Sequence, residues 1–397
     1  MRNKLFKICI LCLLLISVVY AKEVDLNSRR YILYNLNDNE IIDSYNENER
    51  ISVASLTKIM TVIVAIENIE DYNEKVVITK DMLSGIARDV VTVGFKENEE
   101  LTYDDLLYGA ILNSGADAVN ALALSICPDM NSFLDKMNEK VKELGLENSH
   151  FSDAVGLYKD DNYSSAYDVA QILMYALKNE KFRKIFETKE YTLSNGKTVH
   201  RTIDGYNKKS NVDVSFIKGA KTGYISEAGY CLASIATIDG VDYLLVTLGA
   251  DKTPNQLLDH LKEYKYFSEN YSYQDVVNKT DKIIRLKTKY AKEPYVDIYY
   301  YKDIKKYLKN DFDKNKVRIK FTGVSEISYF DKKGLVIGNI DINYGNEVLD
   351  NYDVVNNTNL HFDYRPFYHE NEKIFHYSFI GLWLLIAGLK NIKRRNY

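Results

Sequence analysis

Apolar positions recur at helical spacing through the first half of the chain and change to strand-like runs near residue 189. The spacing predicts helices over 53–69, 104–113, 117–126, 131–144 and 166–178. A strand-rich stretch follows around 189–250, and 252–273 reads as a closing helix. Ahead of the helical block, Ile32–Leu36 and Glu40–Ile42 pattern as a hairpin. Strands at both ends of a helical block imply an α/β (α+β) domain whose sheet gathers sequence-distant strands. From Asp275 the texture changes. Runs such as Asp281–Leu286, Val317–Phe321 and Gly334–Gly338 alternate or carry β-branched residues between polar turns. They predict a small all-β domain over 275–350, after a first domain over 22–273.

Two apolar segments at the ends follow neither period. Arg2, Lys4 and Lys7 precede the run Ile8–Val19, and Val19-Tyr20-Ala21 presents small residues at the positions a signal peptidase reads. The reading is a signal peptide over 1–21, with an uncleaved anchor as its alternative. Near the other end, 374–389 contains one histidine and no formal charge, and Lys390, Lys393, Arg394 and Arg395 follow. That segment is expected to be a membrane anchor, with the basic tail to 397 in the cytoplasm and the bulk of the chain on the extracellular face. It is shorter than the roughly 20 residues a span usually needs, so a helix lying in the interface is the rival.

Composition excludes more than it assigns. A formal charge of −4 over 397 residues gives no electrostatic reason to expect a nucleic-acid partner. None of the 6 histidines stands in a His-Glu-x-x-His arrangement, and the cysteines lack paired metal spacing. No cofactor or metal is expected. Cys9 and Cys12 lie in the leader, leaving Cys127 and Cys231, read as two buried free thiols.

Candidate chemistry begins at Ser55-Leu56-Thr57-Lys58, where a serine and a lysine three apart open a long apolar helix. That spacing puts both on one helix face, and an unprotonated lysine is one base able to activate a serine hydroxyl. Two other such pairs occur, Ser194–Lys197 and Ser215–Lys218. The first contains the turn signal Asn-Gly. The second runs into a strand-like stretch that does not fix a serine–lysine contact. Further along stand Ser114-Gly115-Ala116, after the apolar pair Ile111-Leu112, and Lys221-Thr222-Gly223-Tyr224, before the apolar run Tyr230–Ala236.

Ser-x-x-Lys, Ser-Gly-x and Lys-Thr-Gly, in that order, resemble the penicillin-binding protein and serine β-lactamase superfamily. The surrounding text looks most like its D-alanyl-D-alanine carboxypeptidases, the low-molecular-mass penicillin-binding proteins. The opening hairpin, Leu101–Gly109, His150–Leu157 with Ser165–Asp168, and Ser226–Leu232 extend the resemblance over about 26–270. It implies a five-stranded antiparallel sheet flanked by helices and a helical lobe, with the β-rich domain as a stalk. Ser55 would be the nucleophile, Lys58 the general base and Ser114 a proton relay. Lys221 and Thr222 would bind the substrate carboxylate, and Gly223 would make room for the substrate strand. The N–H groups of Ser55 and Tyr224 would form the oxyanion hole. The implied partners are a peptidoglycan stem peptide and, as inhibitors, β-lactam antibiotics.

Three positions depart from that pattern. Ala116 stands where an asparagine is usual, with Asn113 or Asn120 as conceivable stand-ins. Val155 replaces a threonine or histidine, and Asp251-Lys252-Thr253 lacks an arginine that often helps hold the carboxylate. A β-lactamase would need a deacylating glutamate that 153–161 does not contain. A non-catalytic wall-binding homologue is the remaining alternative, and Ala116 is its best support.

Overall fold

The computed structural model describes residues 24–205 and 213–395, so the expected signal peptide over 1–21 lies outside the described residues. The chain divides into two compact units, one up to Glu269 and one from Asn270.

The first unit is built around a sheet of β1 (Arg30–Asn35), β2 (Glu40–Tyr45), β3 (Ile217–Ile225), β4 (Gly229–Ile238) and β5 (Val241–Ala250). Its order is β2-β1-β5-β4-β3 and every pairing is antiparallel. β1 therefore sits beside the last strand, with Ile32 opposite Val246, and β3 is left as an edge. The inner strands β4 and β5 are buried along most of their length, which explains their unbroken apolar runs.

A short 3₁₀ turn, Ala54–Leu56, leads into α1 (Thr57–Ile66). All 10 residues of α1 are buried. A helix apolar around its whole circumference has no solvent face, so it becomes the centre of the unit. Around it lie α2 (Tyr103–Ile111), α3 (Ala116–Ile126), α4 (Met130–Glu143) and α5 (Ala166–Ala176). The helix expected over 53–69 is thus shorter at both ends, because the chain turns before Thr57. A further helix, α6 (Glu180–Glu187), is one that the apolar pattern left unassigned. It buries Phe182, Ile185 and Phe186 on one side, and the Asn179 side chain accepts from its first N–H groups.

The closing helix α7 (Asn255–Asn270) is fixed to the sheet by polar contacts. His260 bonds Ser234 Oγ at 2.7 Å and Thr247 Oγ1 at 3.0 Å, and burial pushes its pKa down to about 3. Asp259 accepts from the backbone N–H groups of Asn27 and Ser28 at 2.9 and 2.7 Å, tying the N-terminal segment to this helix.

The second unit holds a two-stranded sheet, Tyr271–Val277 with Ile304–Lys309, and two three-stranded sheets. Val276, Leu286, Ile298, Ile327, Ile340 and Ile342 form its core. The resulting fold class is mixed α/β with antiparallel sheets and a C-terminal β domain. After it, α8 (Glu372–Arg395) contains the expected anchor over 374–389. The membrane-spanning reading of that segment is corrected. Among the described residues no helix is long and apolar enough to cross a membrane. The uncharged stretch rises about 24 Å at 1.5 Å per residue, short of a hydrocarbon core of about 30 Å.

One carboxyl in α7 is out of its usual state. Glu263 is fully buried, its carboxyl oxygens have no hydrogen-bond partner among the described residues, and Asp43 and Asp259 lie near it, so burial and two neighbouring carboxylates raise its pKa well above the ordinary range. A raised carboxyl is neutral in the native state but ionises near pH 4.3 when unfolded. Its contribution is therefore full below that pH and is lost progressively as pH rises. Glu263→Gln, neutral in both states, is expected to unfold at a higher temperature than wild type at pH 8. The gap should be roughly 2–4 °C for each kcal/mol of penalty removed, and should close near pH 4. Thermal unfolding across that range checks it; parallel curves would contradict the assignment.

Candidate active site

The site forms where four separate stretches of chain meet beside the N-terminal end of α1. Ala54 has φ +49°, a left-handed conformation that a residue with a Cβ rarely adopts. It turns the chain so that Ser55 stands at the head of the 3₁₀ turn, half-buried rather than enclosed. One turn later Lys58 donates from Nζ to Ser55 Oγ at 2.8 Å and to the carbonyl of Val155 at 2.7 Å. Lys58 is 1% exposed. Burial pushes its pKa down to about 7, and the carboxylate of Asp153 pulls in the opposite direction.

Ser114 closes the turn between α2 and α3 and also carries a left-handed φ, +59°. Its hydroxyl accepts from Lys221 Nζ at 2.9 Å, and the same ammonium donates to the carbonyl of Thr222 at 2.8 Å. Lys221 is fully buried, and its pKa falls well below the usual lysine range, through burial first and then repulsion by Lys58. Burial and mutual repulsion both favour the free-amine form of these lysines, and Lys58 is the one that lies beside Ser55.

Thr222, Gly223 and Tyr224 follow along β3, the edge strand, whose outer backbone groups have no strand partner among the described residues. A Cβ at Gly223 would lie 3.1 Å from both Ser55 N and Val53 O, so the missing side chain lets β3 lie against the serine turn. Thr222 Oγ1 is 2.7 Å from Thr202 Oγ1. The neighbouring Arg201 is almost wholly buried and donates to the carbonyls of Ile217 and Lys218 at 2.9 and 3.0 Å. It thereby covers the start of the β3 edge and leaves the part beside Ser55 open.

The remaining sequence candidates separate cleanly. Ser194–Lys197 spans a hairpin turn between Glu190–Thr192 and Thr198–His200, and Lys197 bonds the Val93 carbonyl. Lys218 pairs with Asp242 at 3.6 Å. Ala116 is buried as the first residue of α3. Asn113 donates its amide to the Thr92 carbonyl at 3.0 Å, and Asn120 lines a cavity of about 160 Å³ with Ala116, Asp153 and Val155. Among the described residues neither asparagine bonds Lys58 or Lys221. Asp251 accepts from Asn255 at the approach to α7.

Sequence reasoning missed Asp153, Gly156, Arg201 and Thr202, and noted Val155 only as a departure. Val155 contributes a backbone carbonyl, which its side chain cannot advertise. The Asp153-x-x-Gly156 spacing was the one available sign of a tight turn.

A family model described as D-alanyl-D-alanine carboxypeptidase matches residues 17–252. The chain is 27% identical over 332 residues to D-alanyl-D-alanine carboxypeptidase DacF of Bacillus subtilis, covering 83% of this chain and 85% of that protein. Among solved structures, penicillin binding protein 5 from Haemophilus influenzae superposes with a TM-score of 0.65 at 22% identity, over 86% of this chain and 99% of that one. At that identity it speaks for the fold alone. The Streptomyces K15 DD-transpeptidase superposes with a TM-score of 0.57 at 28% identity, over 62% of this chain and 98% of its own.

Gly156 offers a test of how the serine turn is braced. Its φ is +93°, and a Cβ there would fall 2.0 Å from the Ala54 carbonyl oxygen. Gly156→Ala is expected to displace the Ala54–Ser55 turn, with a strain of about 1–3 kcal/mol visible as a lowered Tm. Acylation by a serine-directed probe should slow by more than tenfold. Unchanged reactivity would mean that the turn does not depend on this contact.

Proposed function

The chain belongs to the D-alanyl-D-alanine carboxypeptidase family and is a serine-type hydrolase of that kind, and from this premise we propose which of its residues carry the reaction. Ser55 attacks the carbonyl joining the two terminal D-alanines of a peptidoglycan stem peptide. Lys58, as the free amine, takes the hydroxyl proton as the C–O bond forms. The oxyanion of the tetrahedral intermediate is held by the N–H groups of Ser55 and Tyr224, where charge develops. As the C–N bond breaks, the proton taken up by Lys58 passes by way of the Ser114 hydroxyl to the departing amine, which returns Lys58 to the free amine, while Lys221 holds Ser114 in place. Water then adds to the Ser55 ester with Lys58 as base, releasing a peptide one D-alanine shorter and restoring the serine.

The observation that carries this reading is the 2.8 Å contact between Ser55 Oγ and an amine whose pKa burial lowers to about 7. A base is most effective when its pKa lies near the working pH. Thr222 and Thr202 together present two hydroxyls to the terminal carboxylate beside Lys221, in a chain without an arginine after Gly249-Ala250. β-Lactams acylate the same serine because they imitate the acyl-D-alanyl-D-alanine end.

Covalent labelling tests the assignment. Wild type incubated with a fluorescent penicillin is expected to gain one penicilloyl mass by intact-mass analysis, and Ser55→Ala none, while the two proteins unfold at similar temperatures. Labelling of Ser55→Ala at the wild-type rate would overturn it.

The enzyme works on the extracellular face of the membrane, held there by α8 lying in the interface. Phe379, Trp383 and Leu385 of that helix are 77%, 67% and 63% exposed, an apolar surface that the rest of its unit leaves uncovered. Apolar burial is not screened by salt. Full-length protein is therefore expected to stay with membranes through a 1 M salt wash (on the order of a 3 Å Debye length), whereas truncation after Tyr368 releases it. Release of the full-length protein by salt alone would exclude this attachment.

A further inference from the structure

Lys58 has two hydrogen-bond acceptors, and one of them, Ser55 Oγ, is the reacting atom. The other must hold the amine in place before and after the serine is acylated. That acceptor is the Val155 carbonyl, 97 residues away in sequence. Ala116 offers neither donor nor acceptor, and the cavity beside it is open toward Asp153 and Val155.

The Val155 carbonyl is itself held by one carboxylate. Asp153 Oδ1 accepts from the N–H groups of Val155, Gly156 and Leu157 at 2.9, 2.9 and 3.1 Å. Three donors on one oxygen fix the turn over 153–157, and Gly156 presses that turn against Ala54 O. The second oxygen of Asp153 lies 3.6 Å from Lys159 Nζ, and the Asp153 side chain is only 15% exposed.

We propose that Asp153 is a positioning residue of the reaction: through the Val155 carbonyl it orients Lys58, a task that a side-chain amide at 116 is not present to perform in this chain. The inference rests on Lys58 being the base.

Its charge has a consequence that a purely structural role would not have. The charged groups facing Lys58 are Lys221 from β3 and Asp153 from the loop, with Lys159 behind Asp153. The turn before α3 contributes only the Ser114 hydroxyl, bonded to Lys221. Asp153 stabilises the ammonium form of Lys58, so it raises the pH at which the free amine appears. The pKa of Lys221 is lowered by burial and by repulsion from Lys58.

Single-turnover acylation of the full chain by a chromogenic cephalosporin, followed from pH 5 to pH 9 (about two units either side of a lysine lowered to near 7), reads this directly. Wild type should show an acid limb as Lys58 loses its proton. Asp153→Asn keeps an acceptor oxygen for the three N–H groups and removes the charge. Its limb should move to lower pH by about half a unit or more, with the plateau rate within about threefold of wild type. Asp153→Ala removes the acceptor as well and should lower the plateau by more than tenfold. Lys159→Gln, at an exposed position, frees Asp153 to act on Lys58 and should move the limb the other way. It also serves if an Asp153 variant fails to fold. A limb that stays at the wild-type pH in both Asp153→Asn and Lys159→Gln would overturn the role of Asp153 while leaving the base assignment intact. Absence of any acid limb in wild type would remove the base, and the proposal with it.

Discussion

A lysine ammonium taken into an apolar core loses hydration that little there replaces, and its pKa falls. The rest of the catalytic unit depends on that fact. Lys58 rides on a helix whose 10 residues are all buried, so the helix cannot reach the core without taking the amine with it. Lys221 arrives from the opposite side on β3, also fully buried. Each amine is given a serine hydroxyl as a partner, and the two repel each other. A chain that packed α1 with one face toward water would leave Lys58 hydrated, with its pKa near the ordinary lysine range.

Bringing those groups together requires backbone conformations that residues with side chains avoid. Ala54 and Ser114 both lie at positive φ, immediately before the serine turn and at the second serine. Such positions persist only where the surrounding packing over-determines them, and they gather at functional sites. Here the packing is visible: Gly156 against Ala54, Gly223 against Ser55 N, and the buried wall of α2, α3 and α5 around α1. Strain at the turn and close approach of the edge strand are two sides of one arrangement, because Ser55 must face outward while Lys58 stays dry.

Ala116 changes how this arrangement is completed more than whether it is. The side chain there leaves a small cavity, and the amine takes its fixed acceptor from a backbone carbonyl in the 153–157 turn. A carbonyl held by three N–H bonds on one carboxylate is a stiff acceptor, since the turn cannot rotate without breaking several contacts together. Asp153 also brings a charge that an asparagine at 116 would not.

Local signals account for what was legible in the sequence. Ser55 and Lys58 share a helix face because their spacing fixes it. The order of Ser114 and Lys221 after them pointed to the chemistry before any fold was known. The apolar blocks marked α1 to α5, α7 and the strand character of β4 and β5 for the same reason: periodicity is local. The order of strands was not local, and neither was the choice of β3 as the edge strand beside Ser55. Thr202, Arg201 and the Val155 carbonyl entered the site only through contacts across 20, 16 and 97 residues. A backbone carbonyl carries no residue-type signature, so no reading of side chains finds it. The protonation of Lys58 was likewise undecided until folding set its burial. The spacing of Ser55 and Lys58 set which side chains could meet; the tertiary structure removed the water around Lys58 and so lowered its pKa.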